Sequence, residues 1–199
     1  MALPHDLQLH GCLPAGHPYH PGHPRRHRRD HGAAGLSEPS LPVIAHLVIR
    51  TDGAARGNPG PASLGAALID GSRADALRPD APPDATISEA LGIQTNNVAE
   101  WTGVVEALKL AGRLGAEKVD LFLDSKLIVE QLHGRWRVKD AKLTPLWSGC
   151  RGILSGFARW TAAHVPRAQN SVADALANEA IDRVLAGGPA SVVRRPEGR

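Results

Sequence analysis

VIAHLVIRTD, residues 43–52, sets the architecture. It is β-branched and apolar at successive positions, the pattern of a central strand buried on both faces, and it ends on an acid. Downstream, GAARGNPGP (53–61) is a Gly/Pro-rich turn into a second strand, SLGAALID (63–70). A Pro-containing turn over 71–84 leads to a third strand over 85–93. Three strands in series, joined by turns, read as an antiparallel meander.

The periodicity then changes. From Thr95 to Leu114 the apolar residues Val98, Trp101, Val105, Leu108 and Ala111 recur at helical spacing, behind a Thr-Asn-Asn able to cap a helix. VDLFLD (119–124) is a strand and LIVEQL (127–132) a short helix. Residues 142–157 read as helix, 158–165 as extended, and 171–186 as helix, stopped by Gly187-Gly188-Pro189. The order β-β-β-α-β-α-α-β-α predicts a mixed sheet with helices packed on its faces.

Flanking this body, residues 1–40 carry no strand or helix period and are expected to be a disordered His/Pro/Arg-rich extension. Its run HPYHPGHPRRHRRDH (17–31) has a composition that suits a transition metal or, through Arg25, Arg26, Arg28 and Arg29, a phosphate backbone. A plain solvated extension is the favoured reading, because composition is the only evidence for the other. Residues 41–186 are the expected domain, and 187–199 a flexible basic tail that frays. The chain has 199 residues, seven of them aromatic, so Ala, Leu, Val and Ile must build the core.

No apolar run is long enough to span a bilayer and no secretory signal is legible. Cys12 and Cys150 make no disulfide framework, so a reducing, cytoplasmic setting is expected. Residues 41–182 hold fifteen basic and sixteen acidic side chains, while the net +3 comes from the tails. On charge alone the body is a poor nucleic-acid binder.

Its acids suggest how that objection is met. Asp52 and Asp124 end apolar strands, Glu100 lies beside the apolar face of the long helix, and Asp174 lies one turn into the last helix. A carboxylate at a buried strand end is costly unless it is paired or binds a cation. Taken singly, each acid is also compatible with a turn, a cap or a solvated helix face. Taken together, four carboxylates without His or Cys would select Mg²⁺ or Mn²⁺, whose charge makes such a site locally positive. Two ions of that kind can promote an in-line phosphoryl displacement.

TDGAARGNPGP (51–61) resembles the opening motif of type 1 ribonuclease H, the nuclease that cuts RNA in RNA–DNA hybrids. TNNVAEWTGVVEAL (95–108), LFLDSKLIVEQL (121–132) and HVPRAQNSVADALANEA (164–180) resemble its second, third and fourth motifs in order, so the likeness spans roughly 43–183. It implies an α/β ribonuclease H-like fold: a five-stranded mixed sheet, three antiparallel strands then two parallel, with helices on both faces. It implies that Asp52, Glu100, Asp124 and Asp174 are the catalytic, metal-binding acids for two Mg²⁺ or Mn²⁺ ions. The products would carry a 5′-phosphate and a 3′-hydroxyl.

The resemblance also marks substrate-binding positions. Asn58, Thr95, Asn96 and Asn97 match positions that touch nucleic acid, where amides can reach a 2′-hydroxyl. Helix capping is the competing use of Thr95-Asn96-Asn97, and hairpin chemistry that of the Asn58 turn. GRWRVKDAK (134–142) offers Arg135, Trp136, Arg137 and Lys139 as a basic–aromatic patch for a nucleic-acid backbone. The family's well-known members carry a His in the loop before the last acid. This chain has a shorter VPR-type loop with Arg167, a candidate to offset charge on the scissile phosphate, and His164 reads as structural. A monomer acting on RNA–DNA hybrids is expected. A non-catalytic hybrid-binding module of the same fold is the alternative, and another nuclease or a transposase on that architecture the third.

Overall fold

The computed structural model describes residues 43–196, so the expectations for the 1–40 extension lie outside the described residues. Strand β1 (His46–Ala55) is the spine of the sheet. It pairs antiparallel with β2 (Gly60–Asp70), which pairs antiparallel with β3 (Ala85–Gln94). After helix α1 (Asn96–Arg113), β4 (Lys118–Leu123) lies parallel on the other side of β1. Two helices follow, α2 (Lys126–Leu132) and α3 (Leu143–Leu154), and β5 (Arg159–His164) then adds parallel to β4. A single 3-10 turn over Arg167–Gln169 introduces α4 (Ser171–Leu185).

A sixth strand corrects the expected architecture. β6 (Ser191–Arg194) pairs antiparallel with β3, giving a sheet in the order β5-β4-β1-β2-β3-β6 rather than five strands. The segment expected to fray is thus partly ordered. Arg183 near the end of α4 shows why: its guanidinium donates to the carbonyls of Ser88 on β3 and of Pro189, tying the chain leaving α4 to the sheet edge. The first strand also differs from expectation. It runs three residues past Asp52, because Gly53, Ala54 and Ala55 find partners in Leu64, Ser63 and Ala62.

Alternation along the strands sorts two cores. Leu47 and Ile49 face α1 and join Leu64, Trp101, Leu108, Leu121 and Leu123 in the larger cluster. Val48 points the other way, with Ile69, Ala76, Ala81 and the partly buried Phe122. Two glycines let the helices approach. A Cβ on Gly53 would lie 2.2 Å from the Glu100 backbone N in α1, and one on Gly65 2.1 Å from the Ala173 carbonyl O in α4. Among the described residues no helix is long and apolar enough to cross a membrane.

Candidate active site

Topology brings four element ends to one edge of the sheet. β1 and β4 run parallel with Thr51 opposite Leu123, so Asp52 and Asp124 follow side by side. β3 runs in the same sense as β1 and ends at Gln94, which starts α1, and Glu100 with it, at that edge. β5 also ends there, so α4 begins nearby and carries Asp174. A cleft of about 250 Å³ results, lined by Asp52, Gly53, Ala54, Ala55, Asn96, Glu100, Asp124, Arg167 and Asn178.

Asp52 is 7% exposed. Its carboxyl is pushed up to about 7, first by burial and then by the neighbouring charge of Asp124, with Asp174 and Glu100 adding to it; the Gly53 N–H at 2.8 Å works in the opposite sense. Burial also raises Glu100, although Ser125 and Asn96 donate to its two oxygens at 2.7 and 2.8 Å. The four acids are therefore close enough to feel one another. They are not a closed cage: among the described residues, no three His, Cys, Asp or Glu side chains are arranged to close on one ion. The reason is local, since protein donors hold the other three acids. Asn170 donates to Asp124 at 2.9 Å, Arg167 and Asn178 donate to Asp174, and Asn96 and Ser125 hold Glu100.

The donor chemistry nonetheless fits a hard divalent cation. Every ionisable acceptor lining the cleft is a carboxylate, and the Asp52 carboxyl, raised first by burial and then by its acidic neighbours, is one whose charged form a cation would favour.

The expected substrate-binding residues fall into three groups. Asn96 and Asn97 begin α1, with Asn96 lining the cleft, and the Asn96 N–H donates at 3.2 Å to Oδ1 of Asn58 in the turn between β1 and β2. Thr95 has taken the capping role, accepting from the Val98 N–H at 3.4 Å. Arg167 is exposed and pairs with Asp174, so it sits within the acid cluster. The basic patch lies apart, where Trp136, Arg137 and Lys139 line a separate groove of about 430 Å³ with Gly134, Val138, Thr144 and Trp147. Arg135 does not line that groove and is paired with Glu130.

Sequence reading missed Asn170, Ser125 and Asn178. Asn170 is fully buried and its amide bridges the Thr51 carbonyl and Asp124, both at 2.9 Å. An Asn beside the last helix signals a cap, and its grip on Asp124 has no sequence signature.

Comparisons with known proteins identify the family. A family model described as reverse transcriptase-like matches residues 50–180. A ribonuclease H of Polaromonas naphthalenivorans is 36% identical over 169 residues, covering 75% of this chain and 95% of that protein. The chain belongs to the type 1 ribonuclease H family. A structure of another family member, LC11-RNase H1 in complex with an RNA/DNA hybrid, superposes with a TM-score of 0.62 at 34% identity, covering 70% of this chain and 99% of that one. A bifunctional protein of Mycobacterium tuberculosis is 43% identical over 136 residues, 68% of this chain. The match spans only 35% of that relative's length.

Proposed function

We propose that the chain is an endonuclease that hydrolyses the RNA strand of RNA–DNA hybrids by two-metal-ion catalysis, leaving a 5′-phosphate and a 3′-hydroxyl. The observation that carries the reading is Asp52, a carboxyl buried on a central strand within electrostatic reach of three more carboxylates. Such a group is expensive in a merely structural role. Family membership and the hybrid-bound relative support the same reading.

Asp52, Glu100, Asp124 and Asp174 would hold two Mg²⁺ or Mn²⁺ ions. When bound, these would supply a nucleophile at neutral pH and stabilise the leaving oxygen. The protein's own groups do the positioning. Asn58, braced by the Asn96 N–H, and Asn96 and Asn97 beside it would offer side-chain amides to a 2′-hydroxyl. The α1 N-terminus, capped by Thr95, favours a phosphate of the DNA strand. Arg167 reaches the acid cluster and is placed to offset phosphate charge. Trp136, Arg137 and Lys139 track the backbone in their separate groove, with Arg135 contributing less because Glu130 neutralises it. A cytoplasmic monomer is the setting this reading takes.

The test is a labelled RNA–DNA hybrid with Mg²⁺ or Mn²⁺, run beside RNA–RNA and DNA–DNA duplexes, for wild type and Asp124→Asn. Metal-dependent cutting of the RNA strand, lost in the variant, is expected. Tight hybrid binding with no cutting by wild type in either metal would overturn the enzyme reading in favour of a binding module.

A further inference from the structure

Among the described residues the buried charged side chains are Arg50 and Asp52, 2% and 7% exposed, two residues apart on the same face of β1. Asp52 belongs to the acid cluster. Arg50 has no carboxylate partner: its Nη1 donates to the Gln169 carbonyl at 2.9 Å and its Nη2 to the Leu77 carbonyl at 3.0 Å. Its guanidinium lies 5.0 Å from the centre of the Phe122 ring, and its Nε is buried without a hydrogen-bond partner.

The neighbouring cluster on this face is apolar: Val48, Ile69, Ala76 and Ala81. A Met or Leu at position 50 would therefore suit this face at lower desolvation cost. What an apolar side chain cannot do is reach two carbonyls in two different loops. One of them, Gln169, closes the 3-10 turn that Arg167 opens and that Asn170 follows. Asn170 holds Asp124 and the Thr51 carbonyl, while Arg167 holds Asp174. The guanidinium thus stands at the root of the loop that sets two of the acids against Asp52, its own strand neighbour.

We infer that Arg50 is a positioning residue for the candidate active site: through the Gln169 carbonyl it fixes the 167–170 turn, and with it Asn170 on Asp124 and Arg167 on Asp174. The inference rests on the proposed function for what the acids do, but not for how they are held.

The experiment compares wild type, Arg50→Met and Arg50→Lys by four measurements: thermal unfolding, Mg²⁺ and Mn²⁺ affinity by calorimetry, amide hydrogen exchange over 167–174, and kcat and KM on a hybrid. Arg50→Met is expected to unfold at or above the wild-type temperature. Its cation affinity and kcat should fall about tenfold or more, with KM for the hybrid unmoved and exchange over 167–174 accelerated. Arg50→Lys, which keeps the charge and a donor, should recover part of the loss. Wild-type cation affinity and exchange in Arg50→Met would overturn the inference, as would a lowered unfolding temperature with those two unchanged. If Arg50→Met does not fold, exchange in Arg50→Lys decides: faster over 167–174 than in the sheet supports the inference, and unchanged overturns it. A wild type that cuts no hybrid would sink the proposed function, while exchange and cation affinity would still judge Arg50.

Discussion

Asp120 and Asp52 lie on neighbouring parallel strands, one within β4 and one near the end of β1, and their surroundings are opposite. Asp120 has a donor for each oxygen: His46 Nε2 lies 2.8 Å from one and the Thr161 hydroxyl bonds the other. Burial works against its charge, yet those two partners outweigh it and hold the carboxyl below the usual range. Asp52 has the Gly53 N–H, and its carboxyl is pushed up to about 7, first by burial and then by the like charge of Asp124. One sheet therefore carries a carboxylate supplied with what it needs and another deprived of it. A fold built for stability alone would have only the first kind.

The contrast is easiest to break by removing each charge. Asp124→Asn should lower hybrid cleavage roughly 10³-fold, the loss of a few kcal/mol of transition-state stabilisation, whereas Asp120→Asn should leave cleavage rates unchanged. Steady-state kinetics on one hybrid checks both.

Stability should respond in the opposite sense. In chelator, Asp52→Asn should raise the unfolding free energy by roughly 1–3 kcal/mol by relieving a desolvated, repelled charge, and Asp120→Ala should lower it by a similar amount by stranding Thr161 and His46. Denaturant titration distinguishes them.

The pH dependence sharpens the same comparison. Asp52 binds its proton more tightly folded than unfolded, so its contribution to stability is complete below about 4 and is lost as pH rises through about 7. Asp120 has the reverse sign: its contribution is present above the ordinary carboxylate range and is lost as pH falls below it. Thermal melts in chelator should show both limbs. Asp52→Asn flattens the neutral one, Asp120→Asn flattens the acid one, and a divalent cation suppresses only the first.

The smallest expected effect concerns substrate contacts. Arg137→Ala should reduce the salt dependence of hybrid binding by about one unit of log–log slope, and Arg135→Ala by less, because Glu130 already neutralises that charge. Binding titrations across salt concentrations would show it.

Much of this was legible in the sequence. The element order followed from apolar periodicity, and Asp52 and Asp124 stood out as acids at strand ends; joining Glu100 and Asp174 to them as one site leaned on the four ordered motifs that resemble the family. What escaped depended on partners far away in the chain. β1 runs on to Ala55 because β2 supplies partners there, though Gly53-Ala54-Ala55 has no strand character of its own. β6 is four residues long and is secured beside Arg183, which reads in sequence only as a basic residue near a helix end. Arg50 is a lone basic residue in an apolar strand, and nothing local says that its reach ends on Gln169 and Leu77.

Gly53 and Gly65 carry a consequence for how this gene can vary. Any Cβ at these positions would lie 2.2 and 2.1 Å from helix backbone, so even alanine requires a helix to move. Asp52 pairs with Gly65 and precedes Gly53, so one absent side chain lies on the face of the deprived carboxyl, toward α4, and the other on the opposite face, toward α1. In a saturation library selected for function, these two codons should be as intolerant as those of the acids themselves. The chemistry is thus inherited partly as two positions where nothing can be added.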